Sequence, residues 1–254
     1  MIFFVIGLIS AGFIALSLRL FRTALRASGA EGWLGVAFLC VGISMPLRAA
    51  LRVGSFFSTE SEPTVLLVSH ALMAAGLSAF TLFVDRVFRP DDGWARVMTA
   101  SMIGLQIISL PALVFFGGHR DEQNVTVMVI GLIRGLPFGW GFFESHRYYR
   151  QMKKRAGLGL SDPVTTNRFA LFAIWSGALF ALPALLFALR LWAKLGTETG
   201  RLVGDQPGGS IASGILVAGL LGLGGAAIVS LVLSFFPPRF WVERLERRYA
   251  PSPG

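Results

Sequence analysis

The segment VTVMVIGLIRGLPFGWGFF (residues 125–143) runs directly into ESHRYYRQMKKR (residues 144–155). The first part is apolar except for Arg134 near its middle; the second is the densest block of positive charge in the chain. An apolar run of about 20 residues crosses roughly 30 Å of hydrocarbon as a helix. Short loops rich in Lys and Arg stay on the cytoplasmic side. The join therefore gives this segment both a path and a direction, from outside to cytoplasm.

Counting outward from it, seven runs reach spanning length, at about 1–19, 33–53, 64–85, 97–117, 125–144, 169–193 and 211–236. The break GGHRDEQN (residues 117–124) separates the fourth from the fifth. The alternating pattern of a membrane barrel is absent, so helices are expected. The loops after spans one, three and five and the C-terminal tail hold all the Lys and Arg except Arg48, Arg52, Arg120, Arg134, Arg190, Lys194 and Arg201. That bias predicts an N-terminus outside and a C-terminus in the cytoplasm, hence an odd number of spans. The expected fold is an all-α seven-transmembrane-helix bundle over residues 1–236, multi-pass in the plasma (inner) membrane, with a cytoplasmic tail over 237–254. In that tail Phe240, Trp241, Leu245 and Tyr249 alternate with charged residues after Pro237-Pro238, the pattern of a helix lying on the inner leaflet.

Composition agrees. Hydrophobic residues make up 54% of 254, charged residues 15%, and mean hydropathy is +0.66, far above what a soluble domain needs. The net charge of +9 lies mostly in short blocks between apolar runs, where it sets orientation and meets lipid head groups, so nucleic acid is not an expected partner. One cysteine, Cys40, allows no disulfide framework and no cysteine-based metal site, and the three histidines fall in three segments; no metal and no cofactor is expected. The first run lacks a preceding positive residue and leads straight into Arg19, Arg22 and Arg26, which predicts an anchor, not a cleaved leader.

A faint duplication is also legible. Ser17-Leu-Arg19-Leu-Phe-Arg22 ends span one much as Ser145-His-Arg147-Tyr-Tyr-Arg150 ends span five, and the spans that follow each place a proline late, at Pro46 and Pro183. Two three-helix halves joined by span four, a 3+1+3 layout, would produce this; so would the ordinary preference for arginine at a cytoplasmic helix end.

Within the membrane, Arg134 carries the strongest signal. It lies about ten residues into its span, near the bilayer centre, where a charged side chain costs at least ~2.5–3.5 kcal/mol unless it faces the bundle interior or water. Acceptors at similar depth are Gln106 and Ser109 on span four, and carbonyls released by prolines: Ile133 by Pro137, Ile107 by Pro111, Gly42 by Pro46 and Leu179 by Pro183. No Asp or Glu sits at that depth, which leaves room for a small anionic ligand held by the guanidinium; a structural arginine satisfied by carbonyls and water is the competing expectation. His70, in the outer half of span three, could contribute to the same pocket or simply pack. Pro46, Pro111, Pro137 and Pro183 are candidate kinks or gates. Arg48 and Arg52 are expected to snorkel or to meet Glu60 and Glu62 at the outer rim.

At the cytoplasmic face, Asp85-Arg86 closes span three and Glu144 closes span five near Arg147. Asp85-Arg86 is similar to the acidic-basic switch of the G-protein-coupled receptors, a likeness covering that dipeptide alone. One cysteine excludes the receptors' disulfide, and span seven has neither their Asn-Pro-x-x-Tyr motif nor a lysine for retinal. Span seven repeats small residues every four positions, through Ser210, Gly214, Ala218, Gly222, Ala226, Ser230 and Ser234. Such a stripe serves close packing inside the bundle, a homo-oligomer seam, or contact with another membrane protein.

Every loop is shorter than about 30 residues and no catalytic constellation stands out, so an enzyme is not expected. Three roles are left: a receptor-like or sensory protein with a mid-membrane polar pocket, passing a change to a cytoplasmic protein partner; a small-solute facilitator using the same pocket; and an accessory subunit of a larger membrane complex.

Overall fold

A computed structural model describes residues 2–25, 29–53, 62–116, 125–158, 160–200, 208–235 and 237–249, with backbone alone at 2–6, 8, 49, 52–53, 189–200, 208–218, 220–221 and 246–249. Among the described residues the regular structure is helix alone, in α1 (Ile2–Ala24), α2 (Ala30–Val53), α3 (Glu62–Phe88), α4 (Gly93–Phe115), α5 (Val125–Ala156), α6 (Pro163–Gly200), α7 (Gly208–Phe235) and α8 (Arg239–Tyr249). Among the described residues, five helical stretches are long and apolar enough to cross a membrane: Ala30–Arg48, Glu62–Phe88, Gly93–Phe115, Thr126–Ala156 and Pro163–Ala188. A sixth counts if α7 and α8, bent by 80° at Pro237-Pro238, form one broken span. The chain is thus an all-helical polytopic membrane protein. Parts of the expected first and last spans fall outside the described side chains.

The chain divides within α5 into a unit of residues 1–137 and a unit of 138–254. In the first, glycines set how closely the helices meet. A Cβ on Gly35 would stand 3.4 Å from the Ser17 carbonyl oxygen, and one on Gly42 3.3 Å from that of Ser10, so α1 and α2 run antiparallel with backbone nearly against backbone. Gly76 on α3 repeats the device against Cys40 and the Ala37 carbonyl of α2. Without a hydrophobic drive between helices in lipid, such close van der Waals approach is a main source of cohesion.

α4 shows the membrane most directly. Its buried residues, Ala95, Thr99, Met102, Gln106, Ser109 and Leu113, recur at helical spacing and include Thr99, Gln106 and Ser109, while the exposed Ser101 hydroxyl donates to the Val97 carbonyl of its own helix. Its outward residues are Val97, Ile107, Ile108, Val114 and Phe115. A soluble helix places these the other way round, and only hydrocarbon accepts that outward face without penalty.

In the second unit, α5 continues unbroken past Glu144, the expected end of span five, to Ala156. Glu144 is accordingly buried within the helix while Arg147 is exposed. The α5–α6 contact again uses glycine: a Cβ on Gly139 would stand 3.0 Å from the Phe180 ring, and one on Gly177 2.8 Å from the Phe142 ring. Phe138 and Phe172 flank Trp175 at centroid distances of 5.8 and 5.1 Å. The α5–α6 turn is tied at several points. Asp162 accepts from the amides of Val164 and Thr165 and from the Thr165 hydroxyl, while Ser161 donates to the Met152 carbonyl. This is an N-cap made by the residue before Pro163, itself well suited to the first helical position. Those bonds hold the Asp162 carboxyl below its ordinary range, with the Thr165 hydroxyl the largest cause.

On α7, Gly219 meets Leu185 of α6, and Ala227, Ser230 and Ser234 are buried. Gly222 and Ala226 of the four-residue stripe lie exposed instead; the side-chain surroundings of Gly214 and Ala218 fall outside the described residues.

Candidate functional site

The polar residues of the first unit collect at one level of its helices. Arg48 lies five residues before the end of α2, His70 eight residues after the start of α3, and Arg134 nine after the start of α5, all measured from helix ends on the same side. Gln106 lies on the buried face of α4, nine residues from that helix's matching end. At about 1.5 Å per residue these positions fall within roughly 8–14 Å of the helix ends.

Two interhelical hydrogen bonds mark the layer. Arg48 places Nη2 2.9 Å from both ring nitrogens of His70. Arginine only donates, so the nitrogen it engages is the unprotonated one. Below that pair, the Ser69 hydroxyl donates 3.1 Å to the Ser44 carbonyl oxygen, fixing α3 against α2. The second bond joins α4 to α5: Gln106 Nε2 donates 3.2 Å to the carbonyl oxygen of Ile133. That carbonyl has no helical partner because Pro137, four residues on, has no N–H. The freed acceptor was expected to serve Arg134; Gln106 takes it.

Arg134 Nε and Nη2 are consequently buried without a hydrogen-bond partner among the described residues, as is Gln106 Oε1. Among the described residues the charged group that bears on Arg134 is Arg48, a second cation, and both arginines act on His70. No acidic residue lies between Glu31 and Glu60, Glu62 and Asp85, Asp92 and Asp121, or Glu122 and Glu144. The layer thus gathers positive charge from stretches of helix that carry no carboxylate.

The other sequence candidates separate. Ser109 is buried, but its hydroxyl donates 2.7 Å to the Gln106 carbonyl of its own helix, so it steadies the turn that holds Gln106. Pro137 is buried beside the layer, while Pro46 and Pro111 face outward and Pro183 is half-buried on α6. Asp85 is half-buried opposite Arg96 and Thr99 of α4; Arg86 stacks over the Trp33 ring at 5.1 Å. Both sit near the far ends of their helices from the arginine layer. Glu60 and the Arg52 side chain fall outside the described residues.

Sequence reasoning missed Arg48, which it read as a rim charge. The usable signal was depth: five residues from a helix end places it within a long side chain's reach of His70. Comparison with protein-family models, with curated proteins and with solved structures finds no match to this chain.

Proposed function

We propose that this chain is a receptor-like, sensory membrane protein of seven spans, N-terminus outside and C-terminus in the cytoplasm of the plasma (inner) membrane, whose Arg134 layer binds a small anion. The observation that carries the reading is the buried guanidinium edge of Arg134, two donors without an acceptor among the described residues, acted on by a second arginine and set in a stretch of helix without an acidic residue. Nε and Nη2 form one edge of the guanidinium, and that edge matches two oxygens of a carboxylate or phosphate. A charge at this depth is expensive unless something answers it. The sensory reading draws on α5, a single helix that carries Arg134, the proline that unbinds Ile133, and the basic segment ending at Arg155. An anion recruiting Arg134 would shift bonding at the Pro137 break and bias the basic end of α5, where a cytoplasmic partner could dock.

Thermal unfolding of the full chain in lipid nanodiscs, titrated with inorganic phosphate, acetate and glycolate, tests this. Saturable stabilisation is expected for at least one anion, about 2.7 kcal/mol at a hundredfold excess over Kd, and Arg134→Gln should remove it. A flat response to all three sinks the reading. Reconstitution separates the roles: binding without flux supports a sensor, whereas anion flux proportional to protein and lost in Arg134→Gln makes it a facilitator. With neither, a partner lost on Gly214→Leu and Gly222→Leu substitution returns the accessory subunit.

A further inference from the structure

On Arg134 and Gln106 the buried atoms left without a hydrogen-bond partner among the described residues are two donors and one acceptor, and the acceptor cannot exchange roles. Gln106 donates through Nε2 to the Ile133 carbonyl, a group that only accepts. Turning the amide over would set oxygen against oxygen. Its Oε1 is therefore fixed as an acceptor, on a side chain only 1% exposed, without a donor among the described residues. Ile133 immediately precedes Arg134 on α5, so the carbonyl that holds the Gln106 amide and the backbone that carries the guanidinium are one residue apart, about 1.5 Å of helix rise. A buried acceptor left unmet destabilises the fold that contains it.

We infer that the ligand of this layer is a hydroxycarboxylate: its carboxylate lies on the Nε–Nη2 edge of Arg134 and its hydroxyl donates to Gln106 Oε1. The inference rests on the anion-binding reading above and narrows it. A bare carboxylate answers Arg134 but leaves Gln106 unmet. A hydroxyl one carbon away supplies the missing proton while leaving the net charge at one. The second positive charge, on Arg48, stays with His70.

Wild-type protein in nanodiscs is titrated calorimetrically with two matched pairs, glycolate against acetate and lactate against propionate. A third pair, 2-hydroxyhexadecanoate against hexadecanoate, separates a ligand arriving through the bilayer from one arriving through water. At least about a tenfold preference for the hydroxylated member in any pair supports the inference. Equal affinity within every pair overturns it while leaving anion binding intact; no binding by any of the six also overturns it, and the phosphate titration above then decides whether anion binding stands. Gln106→Leu should erase the preference by weakening only the hydroxylated members, and Arg134→Gln should weaken all six. A Gln106→Leu variant that keeps the preference overturns the assignment to Oε1. The wild-type comparison decides even if that variant does not fold.

Discussion

Arg134 lies in an apolar span, the Nε–Nη2 edge of its guanidinium unanswered among the described residues, and must be charged against at least ~2.5–3.5 kcal/mol of insertion cost. If that cost is retained for ligand binding, removing it should stabilise the empty protein. Arg134→Met, similar in length and apolar, is expected to raise the unfolding midpoint without ligand, by about 1–3 kcal/mol in stability, and to abolish the anion response. A variant less stable than the parent would show that the guanidinium is satisfied in place. At the α5–α6 turn, Asp162→Ala should cost about 1 kcal/mol, as lost caps do. The Asp162 carboxyl titrates lower folded than unfolded, so its contribution is full above the ordinary aspartate range near pH ~4 and fades as pH falls through the folded value. Wild type and Asp162→Ala should therefore converge in stability below about pH 4 and differ at pH 7. Arg134, Gln106 and His70 were legible from sequence because polar residues inside apolar runs are few. The Arg48–His70 pairing was not, since it depends on the register of α2 against α3, which Gly76 and the Ser69–Ser44 bond set across 25 residues of sequence.

Among the elements, the difference between two glycines is the clearest test of packing. Nothing lies within 4 Å of a Cβ built on Gly104, whereas one on Gly76 would stand 3.0 Å from Cys40 Cβ and 3.1 Å from the Ala37 carbonyl oxygen. Gly104→Ala should be neutral or stabilising by up to about 1 kcal/mol through helix propensity. Gly76→Ala should lose that gain, and Gly76→Val should cost about 1–3 kcal/mol by overpacking; denaturation in one detergent reads all three. The helices themselves were readable from length and hydropathy. Which face of α4 turns inward was not: most of its residues are apolar, and beside Thr99, Gln106 and Ser109, seven and three apart on the inward face, Ser101 faces outward. The small-residue stripe noticed in span seven drew attention from Ser10, Ser17, Gly35 and Gly42, where the structure brings backbones together.

For the whole molecule, orientation is the outstanding expectation. In a Cys40→Ala background, a cysteine at Gln123 should react with a membrane-impermeant maleimide on intact cells. One at Leu158, which is 74% exposed on the basic side of the α5–α6 turn, should react only after permeabilisation. The reverse pattern would invert the topology. Sequence alone reaches this far because the charge asymmetry is a property of whole loops; it stops at the seven-span count, since length and hydropathy cannot separate a crossing helix from one lying at the surface, as the 80° bend before α8 illustrates. The glycine contacts among α1, α2 and α3 carry a mechanical corollary. Side chains can swivel to accommodate a shifting neighbour, but a carbonyl resting against a bare Cα has no such freedom, so these three helices must travel together or come apart. They form a stiff wall, so a response to the anion proposed at Arg134 would have to be taken up by α4 and α5.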